Sequence, residues 1–499
     1  MKQSATDSPS WRSSYWESYL TPLWQRVCDV YHGLHTDELK RRYLRQQLGE
    51  HNKIYEARVE TVAFENRLSP SVKSHAGLLS DFRLDEDTPA TITEAKDDVD
   101  GQGNSLESVM LDWDVEALLY NAVLALVDVP MAEGEDRPVD PRPRIVPIRL
   151  KDIYAPMVDL VEGHLEVVRV AVKRGVTVPD GDFGIKAVDR FWVYRLMPVD
   201  APRRRSDGSD QTHQATYEVW QEVEDERKKA AGDYEMIEPP RPIIDAAGNP
   251  LERIPLVWYS PYGDPLLFAG VDNDYDRGGT PEYMSLVDLN IEYFNKHSEI
   301  NTAESRGNFV IMMMEFPNQK PQTMPDLITG NRVAVMEGGA KLSLLEPQGT
   351  ALSSTRDGQD RRIQRMDAIA QSFLTGGDVA MTATQATIEA SQSRLGLRNI
   401  ARRKESAVQQ IFYWWERFSN PNFTEGDPVG GIVVAESVLS VPPTAQELQF
   451  WQSEFLNGSL TREQYHAKQK ELGVFSDEMA ELEGVATLGL SNLGVSNDV

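Results

Sequence analysis

An α+β fold is what this 499-residue sequence predicts, on three observations. Apolar residues recur at three- and four-residue spacing over several long stretches, as one buried face of a helix requires. From Pro130 to about Phe268 the pattern changes to clustered or alternating β-formers set off by polar turns. A smaller β-rich block, Gly307 to about Thr350, stands between two of the longest helical stretches.

The chain from about Trp11 to Phe82 reads as mostly helical, with Tyr15, Tyr19, Leu23 and Val27 at helical spacing. The acidic "DEDTPATITEAKDDVDGQGNSLE" then reads as an exposed loop. A helix and a strand follow at 107–129. Their apolar run, "ALLYNAVLALVDV", carries Asn121 and Asp128 and falls short of the ~20 residues a membrane-spanning helix needs. It reads as a buried helix running into a strand.

In the β region, "RFWVYRLMPV" and "ATYEVWQEV" make a hairpin with the polar tip "DAPRRRSDGSDQTHQ". "IIDAAGNPLERIPLVWYS" supplies a second hairpin-like pair around its Ala-Gly-Asn turn.

Pro281 suits a first helical turn, and Leu286, Leu289, Tyr293, His297 and Ile300 form a semi-apolar stripe behind it. Next come "NFVIMMMEF", a Pro- and Gln-rich stretch, "RVAVM" and "KLSLLEP", a β-rich insert. Helix resumes near Ser354, with Ile363, Met366, Ala370 and Phe373 on one face, and ends at Gly376 and Gly377. Thr382 with Gln385 three positions on is a capping box for a third helix, whose apolar stripe is Val408, Ile411, Trp415 and Phe418. Gly396 is a weak point there, costing ~1 kcal/mol relative to alanine, where a kink is expected. After Pro442 short helices lead to a Gly-, Ser- and Asn-rich end expected to be disordered.

Lys and Arg total 51 against 78 Asp and Glu, a formal charge of -27, so the whole surface cannot neutralise phosphates as nonspecific DNA binders do. Cys28 is the only cysteine. It excludes an intrachain disulfide and a cysteine-based zinc site, fits a reducing compartment, and reads as a buried thiol. The first residues lack a charged and then apolar leader pattern, so the chain is expected to stay in the cytoplasm of the cell that makes it.

The motifs for phosphate loops, HExxH zinc sites, the GxSxG elbow and strand-linked GxGxxG are missing, so catalysis is not expected, and neither is a cofactor or metal. His32 and His35, one turn apart, read as surface or interface residues. "DNDYDRGG" places Asp272, Asp274 and Asp276 as in a calcium loop but has Arg277 where Gly is needed and Tyr283 where Glu is needed. It reads as an acidic turn, with an adventitious cation site as the alternative. Arg203, Arg204 and Arg205 read as a solvated hairpin tip, or as a contact to nucleic acid or protein.

The order of parts is a helix, a β insert, a returning helix, a glycine loop and a long helix. That order resembles the portal, or head-to-tail connector, proteins of tailed bacteriophages. The blocks that carry the resemblance are "NKIYEARVETVAFENRLSPSVKSHAGLLSDF", "DVDGQGNSLESVMLDWDVEALLYNAVLALVDVP", "GNPLERIPLVWYS", "SLVDLNIEYFNKHSEINTAESRGNFVIMMM", "TATQATIEASQSRLGLRNIARRKESAVQQIFYWW" and "FLNGSLTREQYHAKQKELG".

The resemblance implies a portal fold of wing, stem, clip and crown in a dodecameric ring. It puts the wing at 1–280, helical over 11–129 and β-rich over 130–270. The first stem helix is then 281–306, the clip 307–350, the second stem helix 351–374 and the tunnel loop 375–385. A long wing helix and return strand occupy 386–441, and the crown 442–499. The tunnel-loop residues facing DNA would be Gly376, Gly377, Asp378, Met381, Thr382, Thr384 and Gln385. The stem would use Tyr293, His297, Ile300, Ile363, Met366 and Phe373, and the clip would meet partners through Asn318, Gln319, Lys320 and Gln322. Implied partners are further copies of the chain, duplex DNA passing through the channel, the terminase large subunit, the head-tail adaptor and the major capsid protein, with no membrane. The implied location is the capsid vertex of the virion, and the host cytoplasm during assembly. The rival readings are a capsid or tail oligomer without a DNA channel, and a cation-dependent hydrolase using the many carboxylates.

Overall fold

The structure is a computed structural model. It describes residues 8–13, 15–129, 142–180, 183–204, 210–223, 234–262, 280–307, 311–315, 341–345, 350–371, 383–434, 445–457, 461 and 464–465. Both helices and sheets are present, so the fold is α+β. The chain forms two compact units: Met1–Cys28, Leu68–Ser285 and Ala370–Val499 make the first, and Asp29–Arg67 with Leu286–Ile369 make the second. The sequence division grouped 29–67 with everything up to 280; the fold instead places that segment in the unit of the two helices at 286–369.

Helices α1 (Thr21–His32), α2 (Asp37–Tyr43), α3 (Asn52–Thr61) and α4 (Leu68–Leu79) lead to strand β1 (Phe82–Leu84). The following acidic stretch, expected as loop, contains the short helix α5 (Ala90–Ala95). Ile92 and Ala95 bury one side of it, a pattern too brief to stand out in an acidic background.

Helix α6 (Leu106–Tyr120) begins where the Ser105 hydroxyl accepts from Ser108 N. It ends at Asn121, whose φ of 64° is the left-handed turn that asparagine tolerates. The expected buried run then appears as strand β2 (Val123–Asp128), its first five residues wholly buried.

Strand β3 (Arg144–Arg149) pairs with β2 on one side, and β9 (Leu256–Tyr259) pairs with it on the other. The Ala-Gly-Asn turn does form, with Gly248 at φ 82° and an isolated bridge from Ile244 to Pro250. Its second arm goes to β2 instead of continuing as a hairpin, because Pro250 and Pro255 cannot donate to a ladder while buried β2 needs partners on both edges.

A five-stranded antiparallel sheet runs in sequence order: β4 (Ile153–Val161), β5 (His164–Asp180), β6 (Gly184–Arg204), β7 (Asp210–Glu222) and β8 (Tyr234–Pro242). The hairpin expected between "RFWVYRLMPV" and "ATYEVWQEV" is β6 with β7. Pairing runs further into the polar tip than expected, to Arg204 opposite Asp210, after a register shift between Pro198 and Arg203. Arg203 and Arg204 are therefore strand residues, and Arg205 lies outside the described residues.

Helix α7 (Met284–Gly307) is followed by β10 (Ile311–Glu315), which pairs antiparallel with β11 (Lys341–Leu345) from Ile311 opposite Leu345 to Glu315 opposite Lys341. Helix α8 (Thr350–Gln371) starts four residues before Ser354. Helix α9 (Ala383–Ser419) is 37 residues long and continues through Gly396. Strand β12 (Ile432–Val434) pairs with β1, and α10 (Ala445–Leu456) follows.

Candidate functional site

Within the second unit α7 and α8 pair antiparallel. Glu304 bonds Arg356 at 2.6 Å, Tyr293 O accepts from Gln359 Nε2 at 3.3 Å, and Glu292 bonds Arg362 at 2.9 Å, so one partner's number falls as the other's rises. Of the six stem residues, Tyr293, Ile300 and Met366 are buried, His297 and Ile363 are half-buried, and Phe373 lies outside the described residues. His297 stacks on Tyr293, with centroids 5.6 Å apart and planes 11° apart, and its Nε2 meets Asn301 Nδ2 at 3.1 Å. Burial, then the hydrogen bond to Glu65, pushes the Tyr293 phenol up to about 12, so it stays a neutral donor.

The helical pair does not stand free. Phe294 packs into Leu34, Leu44, Val59 and Val62 from the α1 end and the α2–α3 region. Below that contact run polar ties that sequence reasoning missed. Asn290, wholly buried, accepts from Arg67 N at 2.9 Å and donates to Glu65 O at 2.7 Å. Arg58 donates to Ser298 Oγ at 3.1 Å and pairs with Glu50 at 2.6 Å, both ionic side chains 4% exposed. Asn290, Ser298 and the expected apolar positions share α7, so a buried face read only for hydrophobics loses its polar members.

In the first unit the long helix α9 is held by one buried ion pair and an apolar stripe. Lys404 Nζ reaches Asp114 Oδ2 at 2.5 Å and Leu79 O at 2.8 Å, and lies 4.9 Å from the Phe82 ring centroid. Burial drives the Asp114 carboxyl upward and the Lys404 ammonium downward in pKa, and each charge opposes the shift of the other. A sequence signal existed: Lys404 sits four residues from both Ile400 and Val408, on the buried side, and Asp114 falls between Met110, Ala117 and Leu118 in the same sense. The expected stripe Val408, Ile411, Trp415 and Phe418 is buried throughout.

The helix start revises the expected loop boundary. Thr384 and Gln385 belong to the first turn of α9, so the last residues of the 375–385 loop are helical. Gly376, Gly377, Asp378, Met381 and Thr382 lie outside the described residues, as do Asn318, Gln319, Lys320 and Gln322, "RVAVM", and Asp272, Asp274 and Asp276.

His32 and His35 are exposed, and Cys28 is half-buried, not fully buried as expected, because it lies on the flank of α1 beside the Tyr120 phenol. Among the described residues no group of three His, Cys, Asp or Glu could hold a metal ion, and no helix is long and apolar enough to cross a membrane. The first unit also holds a cavity of about 390 Å³ where the Arg174 guanidinium lies 5.1 Å from the Trp192 ring and near the half-buried Asp128. Its charges are mixed and largely compensate one another.

A family described as a domain of unknown function, DUF4055, matches residues 283–419. The match runs from the start of α7 through the β10–β11 pair and α8 to the end of α9. No curated protein matches the sequence. Among solved structures, the chain is similar to one in the neck of an empty gene transfer agent particle computed with C6 symmetry, at 12% identity and TM-score 0.41, covering 86% of this chain and 96% of that one. It is similar to one in the virion of the native gene transfer agent particle at 11% identity and TM-score 0.37, over 90% and 98% of the two chains. A third, from the neck of the native particle computed with C12 symmetry, has 10% identity and TM-score 0.35, over 81% and 89%.

Proposed function

We propose that this chain is a portal protein, a structural component of a phage-type virion that assembles as a dodecameric ring at one capsid vertex and passes duplex DNA during packaging and ejection. The observation that carries the reading is the unit α7, β10–β11, α8 followed by the 37-residue α9. Two antiparallel helices carry a two-stranded insert between them, and a helix of ~55 Å follows in the larger unit. In this reading α7 and α8 are the stem, the β10–β11 region is the clip, and the segment before α9 is the tunnel loop.

Charge supports the same mechanism. With -27 per copy, a ring of copies surrounds DNA without gripping its phosphates, and the polymer slides in both directions. The chain acts by assembly and supplies no catalytic step of its own. The work of translocation falls to a separate ATP-driven motor, the terminase large subunit, which docks at the clip before the head-tail adaptor replaces it, while the major capsid protein surrounds the wing. End-on electron microscopy of the purified chain, joined to native mass spectrometry, tests this. Rings with an open lumen and twelve-fold symmetry are expected. Closed oligomers without a lumen would instead favour a capsid or tail structural role, and monomers at all salt concentrations would remove the reading.

A further inference from the structure

We infer that the exposed arc of α9 between residues 398 and 410 is the surface by which one copy of this chain receives another, and that it takes the acidic surface around α5 of the neighbouring copy. The inference rests on the ring reading above and names the contact that closes it.

Over this stretch α9 divides cleanly. Leu397, Ile400, Lys404, Val408 and Ile411 lie on the buried side. The solvent side presents Arg398, Arg402 and Arg403 with Asn399, Gln409 and Gln410, all exposed, at spacings of three and four that keep them on one arc. No carboxylate stands among them. The nearest on the helix, Glu405, is half-buried and accepts from Val434 N at 3.0 Å. Arginines four apart with no acid between them repel, which weakens a helix by a few tenths of a kcal/mol per pair. Arg398 and Arg402 thus set positive charge side by side in a chain where acids outnumber bases 78 to 51.

Copies that each carry -27 repel at long range, so a stable contact between them needs a patch of the opposite sign on one side. The arc is such a patch. Its complement on the same chain is the exposed set Asp85, Glu86, Asp87, Glu94 and Asp97, which flanks α5. Helix α5 is tied to the C-terminal part of α9 by the hydrogen bond from Thr91 Oγ1 to Glu416. Arg402 and Glu416 are fourteen positions apart, or ~21 Å along the helix. Donor and acceptor are therefore different patches, the contact is heterologous, and a heterologous contact that closes gives a ring. Duplex DNA is the other polyanion the arc could meet, but it must approach against the field of the whole acidic chain.

The test uses the full chain and two charge reversals, R398E/R402E and D85K/E86K/D87K, each first shown by circular dichroism to melt as the parent does. Native mass spectrometry at low and moderate salt should show each variant alone reduced to monomers, and the equimolar mixture restored to rings, because every reversed arc then meets a reversed acceptor. If R398E/R402E assembles as the parent does, the inference fails and the ring reading stands. If the parent itself stays monomeric, the ring reading fails. If R398E/R402E assembles normally but loses fluorescence-anisotropy binding to short duplex DNA, the arc is a nucleic-acid surface and the inference is overturned. Monomers from each variant without restoration on mixing would overturn the pairing with the α5 surface.

Discussion

Lys404 Nζ stands 2.5 Å from Asp114 Oδ2 with neither side chain exposed to solvent, so the middle of α9 is fixed to α6 by a charge pair that has no water to fall back on. Removing one partner leaves the other buried and uncompensated. D114L and K404M should each lower the unfolding free energy by about 3–5 kcal/mol, whereas the double change D114L/K404M should recover most of that loss. Urea denaturation of the four proteins checks it; additive losses in the double variant would show that the two groups act independently.

The α9 stripe gives a second expectation. Trp415 is 1% exposed and lies one turn from Ile411 and next to Phe418 in the same buried line. W415A should cost about 3–5 kcal/mol, the range for emptying a large aromatic site. W415F should cost much less, because the indole Nε1 has no hydrogen-bond partner to lose. A W415A loss below about 1 kcal/mol in chemical denaturation would place the ring at the surface.

These two sites show where the sequence was informative. The stripe at Val408, Ile411, Trp415 and Phe418 was legible because every member is apolar and the 3.6-residue period repeats unbroken. The helix-to-strand passage from Ala117 to Val127 was legible as a nearly continuous apolar run, and the β6–β7 hairpin as two clusters of β-formers around a polar tip. Lys404 and Asp114 were signalled only by their spacing on apolar arcs, and Asn290 and Arg58 were not legible as buried. A charge or amide on a buried arc looks like an exposed one until its partner, two or three hundred positions away, is known. The partner choice of β9 was equally hidden: the turn at Asp245–Asn249 is a local property, while the demand of β2 for a ladder on its second edge is not. The loop and clip residues proposed to meet DNA and partner proteins rest on resemblance and on the order of elements.

His75 provides the pH-dependent expectation. It is 1% exposed on α4, its Nδ1 shares a hydrogen bond with the Tyr283 hydroxyl, and burial lowers its pKa to about 4. The folded state therefore binds the proton more weakly than the unfolded chain, whose histidine titrates near 6.5. The associated stability is fully present above pH 6.5 and is lost as pH falls toward 4, by about 3 kcal/mol in total. Comparing the parent with H75Q in urea at a series of pH values from 7.5 to about 4.5 isolates this group from carboxylates that titrate in both proteins. The stability gap between parent and variant should narrow as pH falls; a gap independent of pH would mean that His75 charges as readily folded as unfolded.

The second unit offers a contrast between a buried amide and surface ion pairs on the same helical hairpin. Asn290 is wholly buried and satisfies both the Glu65 carbonyl and the Arg67 amide, fixing the chain after α3 against α7. N290A removes the buried amide from two part-buried backbone bonds that water replaces only in part, so a loss of about 1–3 kcal/mol is expected. Arg356 and Glu304 also join two elements, α8 and α7, at 2.6 Å, but their side chains are 59% and 34% exposed. Water competes for both charges there, and R356A should cost less than about 1 kcal/mol. Hydrogen exchange read across α3 and α7 is the decisive measurement. Loss of protection in both helices in N290A, with R356A unchanged, is the expected pattern, and equal effects from the two substitutions would mean that α7 is held to α3 by its apolar contacts around Phe294 alone.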